Sequence, residues 1–366
     1  MPNKFLISGG GTGGHIFPAI AIANTIREVN PDAEFLFVGA LGKMEMDKVP
    51  AAGYKIIGLN ITGIQRSLSM ANLYFPFKLA SSLIKARKII QTFKPDVVIG
   101  VGGFASGPVL RMATWLKVPT LIQEQNSFAG ITNRWVSNSV DRVCVAYDNM
   151  ERFFPARVIV KTGNPVRKKM VEIDGLRIKA LESFGFKADK PVLLIVGGSL
   201  GARSINLALK DQIQIIVKAG IQVIWQTGKL FKEESEALKS TYKDEGLYIT
   251  EFIHEMDFAY AASDVVISRA GAIAVSELCI VGKPAILVPF PYAAEDHQTK
   301  NAMALVNSDA AIMIANADVQ KELVPAVLKL FNDPHKRQTL SSNIKLHAFP
   351  KAAEDIANEV LKLVSK

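Results

Sequence analysis

Residues 5–20 read FLISGGGTGGHIFPAI. Phe5 to Ser8 have strand character and run into glycines at 9, 10, 11, 13 and 14; His15 then opens an apolar helical pattern. Gly9, Gly11 and Gly14 satisfy the G-x-G-x-x-G spacing of dinucleotide sites, which by itself is weak evidence. Such a site also wants an acidic residue closing the second strand, to hold the ribose hydroxyls. EFLFVGALGKM (34–44) ends its strand at Val38–Gly39 without one, which counts against a nicotinamide cofactor. Five glycines exceed what a turn needs, so the loop reads as backbone pressed close to a ligand, with N–H groups at a helix N-terminus meeting negative charge. His15 sits in the first helical turn, where the helix dipole disfavours imidazolium. It reads either as a neutral base for an attacking hydroxyl or as a polar cap on backbone donors.

Outward from this stretch, apolar runs of strand length alternate with helical patterns. KFLIS (from 4), EFLFVG (34), YKIIGL (54), DVVIGVG (96), VPTLIQ (118) and DRVCVA (141) are strand candidates in the first half. KPVLLIVGG (190), IQVIWQTG (221), GLYITEFI (246), DVVISRAG (264) and PAILVPF (284) follow in the second. Continuous Val/Ile/Leu runs joined by helices predict parallel sheets covered on both faces. The fold class is therefore α/β, with two Rossmann-like, doubly wound domains facing across a cleft. The turn sequence in TGNPVRKKM (162–170) marks the boundary, giving domains over 1–165 and 166–345. The segment after Pro350 reads as a helix.

Ligands of such sheets sit beyond the carboxyl ends of the strands, and four glycine-rich loops fall there: 8–15, 100–107, 197–204 (GGSLGARS) and 268–277 (SRAGAIAVSE). In the third, Ser199 and Gly201 precede a helix and suit a diphosphate, or make a serviceable turn and N-cap. In the fourth, Gly271 and Ala272 stand at a helix start with Glu277 about two turns in. A carboxylate there can accept both hydroxyls of a ribose, although an isolated helix glutamate is more often simply solvated.

The whole chain has 366 residues, 49% hydrophobic and 21% charged, the composition of a soluble globular protein, and no run long enough for a transmembrane helix. The start of the chain carries no signal-peptide pattern, and Cys144 and Cys279 read as buried small hydrophobes; a cytoplasmic location is expected. The net charge of +9 is uneven: residues 1–165 hold 18 Lys and Arg against 10 Asp and Glu, the remainder 25 against 24. Seven basic residues and no acid lie between Lys55 and Lys94, which suggests an anionic partner, nucleic acid or membrane, for the first half. No Asp-x-Asp pair, H-E-x-x-H or Cys/His cluster occurs, so no protein-held metal is expected. No G-x-S-x-G elbow and no phosphate loop ending in Gly-Lys-Ser/Thr occurs either. A departing diphosphate would then be stabilised by backbone amides, helix N-termini and a cation such as Arg167, which points to nucleotide-sugar chemistry.

GGGTGGHIFPAIAIA, VIGVGGFASGPV, QEQNSFAGITNR, GNPVR, GGSLGARSIN, TEFI, SRAGAIAVSE and EDHQTKNA follow one another in the order seen in a single enzyme family. Over essentially the whole chain the sequence resembles the peptidoglycan N-acetylglucosaminyltransferases, which convert lipid I into lipid II in cell-wall biogenesis, cell shape and division. The resemblance implies a GT-B fold, with the C-terminal helix (about 346–366) crossing back to the first domain, which is the acceptor side. It implies that the second domain binds UDP-N-acetylglucosamine. Uracil would lie against Ile253 and ribose on Glu277. The diphosphate would lie on Ser199 and the helix start Gly271, Ala272, Ile273, Ala274, Val275, with Arg167 nearby and Gln298 on the sugar hydroxyls. Thr12, Gly13, Gly14 and Asn126 would close over this donor. His15 matches the candidate base for the C4 hydroxyl of the muramyl sugar, and attack in line would give an inverted, β-1,4 linkage and UDP. Gly102, Gly103 and Ser106 would face the diphosphate of undecaprenyl-linked lipid I. No cofactor is implied.

The family segment often reads His-Glu-Gln-Asn where this chain has Gln123-Glu124-Gln125-Asn126. A role for that histidine does not carry over, which shifts weight onto His15 and Glu124. NLYFPFKLASSLIKARKIIQTFK (72–94) places Tyr74, Phe75 and Phe77 beside Lys78, Lys85 and Lys88. It reads as a surface resting peripherally on the cytoplasmic, anionic leaflet of the bacterial inner membrane, as an amphipathic core helix with a solvated basic face, or as both. Nucleic acid is disfavoured because no recognition motif accompanies the charge. A UDP-N-acetylglucosamine 2-epimerase, which would want extra cleft carboxylates and histidines and no lipid surface, is the same-fold rival. A non-catalytic nucleotide-sugar sensor is the rival of another class.

Overall fold

The computed structural model describes residues 2–63, 74–198, 200–242 and 246–364. Among them the chain forms two sheets, every strand pair parallel. β1 (Lys4–Gly9), β2 (Glu34–Ala40), β3 (Lys55–Leu59), β4 (Val97–Gly102), β5 (Thr120–Glu124), β6 (Arg142–Val145) and β7 (Ile159–Lys161) lie in the order β3-β2-β1-β4-β5-β6-β7. β8 (Val192–Val196), β9 (Gln222–Gln226), β10 (Leu247–Thr250), β11 (Val265–Ser268), β12 (Ala285–Leu287) and β13 (Ile312–Met313) lie in the order β10-β9-β8-β11-β12-β13. The chain divides into one unit of Met1–Arg167 with Phe349–Lys366 and another of Lys168–Ala348.

Alternation along β1 sorts side chains to the two faces of the first sheet. Phe5 and Ile7 join Ile16, Ile22 and Ile99 on one face, under the helix Gly13–Val29 and the C-terminal helix Ala352–Val364, which contributes Ile356, Val360 and Leu363. Arg142 pairs with Glu359 of that helix at 3.3 Å. Leu6 and Val98 face the other way, packing with Ala86, Val109 and Leu110 of the helices Phe75–Phe93 and Ser106–Trp115. In the second unit Leu193, Ile195, Trp225 and Ile267 pack on Ile205, Leu209 and Ile213 of the helix Arg203–Lys218 and on Leu323 and Val327 of the helix Val319–Phe331. Both cysteines are buried, and burial pushes each thiol up to about 12.

The strand order places a switch point in each sheet, between β1 and β4 and between β8 and β11, where successive connections leave in opposite directions and a crevice opens at the carboxyl ends. All four glycine-rich loops sit at these two places. β7 and β13, of three and two residues, were not among the sequence-based strands, being too short to show a period.

Candidate functional site

At the first switch point the loops after β1 and β4 touch. The Gly10 N–H donates to Gly102 O at 3.2 Å. The Gly11 N–H donates to Oε2 of Glu45 at 2.8 Å, and the other oxygen of Glu45 accepts from the Ala40 N–H at 2.9 Å. Glu45 is fully buried. Gly10 and Gly11 thus turn their N–H groups inward. Gly13 and Gly14 begin the helix, so their N–H groups have no intrahelical acceptor. Thr12 is the exposed N-cap residue.

His15 is half-buried, its ring against Gly102, where an added Cβ would come within 2.8 Å of Nε2. Its Nδ1 lies 3.1 Å from Gly10 O and 3.3 Å from Thr12 Oγ1. A carbonyl only accepts, so in the neutral ring Nδ1 carries the proton and Nε2 the lone pair. Ser106 is fully buried and donates to Gly103 O at 3.0 Å, so its hydroxyl braces the loop rather than facing outward.

Glu124 closes β5 and is almost fully buried. Oε1 accepts from Asn126 N at 3.0 Å, with Asn126 Nδ2 at 3.4 Å, and Oε2 from Gly130 N at 3.0 Å and Asn133 Nδ2 at 2.8 Å. Burial pushes its carboxyl above the usual range, opposed by those donors. The geometry is that of a clamp on the loop 124–133. Gln123, where the family often has histidine, is also buried: Nε2 donates to Asn164 Oδ1 at 2.9 Å and its carbonyl accepts from Gln125, which also reaches Val101 O at 2.9 Å. Asn164 Nδ2 returns to Gln125 O at 3.0 Å, tying β5 to the GNPV turn. Arg167, exposed, ends the first segment of the first unit.

At the second switch point Gly271 is the N-cap of the helix Ala272–Val281. Ala272, Ile273 and Ala274 form its first turn, with N–H groups lacking intrahelical acceptors, and Val275 N donates to Gly271 O at 2.9 Å. Glu277 is buried on this helix and accepts from the Tyr260 hydroxyl at 3.3 Å. The Ile253 N–H donates to Gln226 Oε1 at 3.0 Å. Gln298 accepts from Phe290 N at 3.0 Å and follows Glu295 and Asp296, whose φ of 54° and 55° puts two non-glycine residues in the left-handed region. Ser199 lies outside the described residues. Gly201 (φ 83°) passes so close to Thr227 that a Cβ would collide with its carbonyl.

Three residues here escaped the sequence reading. Arg269 donates through Nη1 to Val288 O (3.1 Å), Pro289 O (3.1 Å) and Asn316 Oδ1 (2.8 Å), and through Nη2 to Ser204 Oγ (3.1 Å). Burial pulls its guanidinium down to about 10. Asn301, fully buried in EDHQTKNA, donates to Ala270 O at 3.3 Å. Asn206 donates to Thr227 O at 2.8 Å and accepts from Trp225 Nε1 at 3.1 Å. All three stand inside motifs singled out in the sequence, and for Asn206 and Asn301 a polar residue held in a helix face was the available signal. Glu45 gave less: an acid in LGKMEM, just beyond β2.

Residues 5–145 match the glycosyltransferase family 28 N-terminal domain and residues 192–356 the glycosyltransferase family 28 C-terminal domain. The UDP-N-acetylglucosamine–N-acetylmuramyl-(pentapeptide) pyrophosphoryl-undecaprenol N-acetylglucosamine transferase of Parabacteroides distasonis is 52% identical over 363 residues, 99% of each chain. The protein of the same name from Cytophaga hutchinsonii is 54% identical over 364 residues, 100% of this chain and 98% of its own. The crystal structure of Acinetobacter baumannii MurG aligns with a TM-score of 0.77 at 30% identity, covering 99% of this chain and 100% of that one.

Proposed function

The chain belongs to glycosyltransferase family 28, among the lipid-II-forming N-acetylglucosamine transferases, and from that premise we propose how its two switch points divide the reaction. The protein moves N-acetylglucosamine from UDP-N-acetylglucosamine to the C4 hydroxyl of the N-acetylmuramyl sugar of undecaprenyl-diphosphate-linked lipid I. The donor belongs to the crevice at β8 and β11. Ribose hydroxyls are accepted by Glu277, and the diphosphate meets Ser199 and the first-turn N–H groups of Ala272–Val281, with Arg167 as a further cation. Uracil lies against Ile253 and the sugar hydroxyls against Gln298. Thr12, Gly13, Gly14 and Asn126 are further donor residues in this reading.

His15 takes the proton from the C4 hydroxyl through Nε2 as that oxygen attacks the anomeric carbon and UDP leaves with inversion. The observation that carries this reading is the contact of Nδ1 with Gly10 O, which supports Nε2 as the basic atom. Glu124 holds the Asn126 loop and takes no proton from substrate. Gly102 and Gly103 face the acceptor diphosphate through backbone. Incubation with UDP-N-acetylglucosamine and a lipid I analogue in chelator should release UDP and give the β-linked disaccharide. Donor binding without turnover would instead make the protein a sensor.

Acceptor delivery at an anionic membrane surface is part of the same reading. No helix among the described residues is long and apolar enough to cross a membrane. Tyr74, Phe77 and Ile84 of the 74–93 segment are exposed, as is Trp115 on the neighbouring helix, with Arg87 stacked 4.7 Å from the Trp115 ring and Arg111 beside it. Exposed apolar groups rimmed by cations suit a lipid interface. Lys85 is turned to Gly58 O at 2.8 Å, so it contributes less than its position suggests. Co-sedimentation with phosphatidylglycerol vesicles, lost in Phe77→Ser/Ile84→Ser, tests this; undiminished binding would reject it.

A further inference from the structure

We propose that Glu45 is a positioning residue for the transfer step, acting through the glycine loop on the tautomer and placement of His15; the inference rests on His15 being the base. Glu45 is the first residue of the short helix Glu45–Ala51 and is fully excluded from solvent. A buried carboxylate normally stands beside a cation, yet this one accepts from two backbone amides, Gly11 N–H at 2.8 Å and Ala40 N–H at 2.9 Å. One side chain thus bridges the end of β2 to the loop after β1. The backbone is shaped around it: a Cβ on Gly10 or on Gly39 would collide with Glu45. A side chain at either place would displace the carboxylate, which gives both glycines a reason beyond turn geometry.

The consequence lies one residue away. Fixing the Gly11 N–H fixes the plane of the Gly10–Gly11 peptide, since N–H and C=O are rigidly antiparallel across it. The carbonyl of that peptide is the Gly10 oxygen that holds His15 Nδ1 at 3.1 Å. Glu45 therefore acts on the histidine without touching it: carboxylate to N–H, peptide plane to carbonyl, carbonyl to Nδ1–H, and the lone pair to Nε2. Thr12 Oγ1, at 3.3 Å from the same Nδ1, is a hydroxyl that can donate as well as accept, so it cannot define the tautomer when the carbonyl swings away.

Glu45→Gln keeps the shape but presents an NH2 to one of the two N–H donors, so the bridge fails at one end. Glu45→Asp keeps the charge but is one methylene short. Both are to be compared with the wild type and with His15→Ala for kcat, donor KM, the acidic limb of the kcat–pH profile and the thermal midpoint. Glu45→Gln should lower kcat roughly 10- to 100-fold while donor KM stays within about twofold, as expected of a misplaced catalytic group. The acidic limb should move, and Glu45→Asp should recover part of the loss. Combined with His15→Ala, Glu45→Gln should cost little further activity, because its target is gone.

Equal fold-losses in the wild-type and His15→Ala backgrounds would overturn the proposal, as would a fall in kcat with an unmoved limb. If Glu45→Gln does not fold, the same cycle run with Glu45→Asp decides. Failure of the base reading is distinguishable: His15→Ala would then keep its kcat whatever Glu45 does.

Discussion

The two switch points are built on one plan and braced by different groups. At β1 and β4 the clamps are carboxylates: Glu45 accepts from Gly11 and Ala40, and Glu124 accepts from Asn126, Gly130 and Asn133. At β8 and β11 the clamps are donors: Arg269 reaches the carbonyls of Val288 and Pro289, Asn301 that of Ala270, and Asn206 that of Thr227. A carboxylate clamp consumes N–H groups and leaves negative charge behind the loop. A guanidinium or amide clamp consumes carbonyls and leaves the N–H groups of the loop and helix start for a ligand. Two glycine-rich crevices that look alike in sequence are thus braced by different groups. In the proposed reading the donor diphosphate belongs to the second and the His15 base to the first.

The largest effect that would break this division is at His15. His15→Ala should lower kcat about 10²- to 10⁴-fold with donor KM little changed, measured by UDP release. Equal losses in kcat and donor affinity would place the histidine on the donor side and erase the contrast. Next comes Arg269→Ala, which leaves several carbonyls without their charged donor. Donor KM should rise roughly 10- to 100-fold, with lowered stability, on the usual worth of hydrogen bonds to charged groups. A variant that loses stability but binds UDP as before would show that the guanidinium holds the fold and has no part in donor binding.

The smallest effect uses the amino-terminal side of the second sheet as a control. Lys283 donates to Ser263 O at 2.7 Å just ahead of β12, and burial pulls its ammonium from the ordinary 10.5 down to about 8. Between about pH 8 and 10.5 the unfolded chain then binds more protons than the folded one, so this group makes stability rise with pH. Cysteine ionisation opposes that trend, since both thiols are held up near 12 in the folded state. The difference between wild type and Lys283→Met isolates the lysine. It should change by on the order of 1 kcal/mol across the window, discounted for partial exposure, in urea melts. Donor KM should be unaltered; a change would mean that the two ends of the sheet communicate.

The long buried strands were legible because a parallel sheet covered on both faces leaves an uninterrupted apolar run, as in VVIGVG and VLLIV. The glycine loops were legible because so many glycines have few other uses. The clamps were not. Glu45 reaches Gly11 across 34 residues, and Arg269 reaches Asn316 across 47. Nothing local distinguishes such a side chain from a solvated one. Glu124 shows the same gap from the other side: sequence marked it as a candidate for chemistry, and only the fold shows its carboxylate held by four donors.

Sequence by itself determined the two parallel sheets, the places where their ligand loops fall and the family whose motifs they carry, because each of these is written in contiguous residues or in their order. Tertiary structure alone decided which loop N–H groups turn inward and which nitrogen of His15 holds the proton. Those are matters of which distant donor meets which acceptor, and a chain specifies such partnerships only once it has folded.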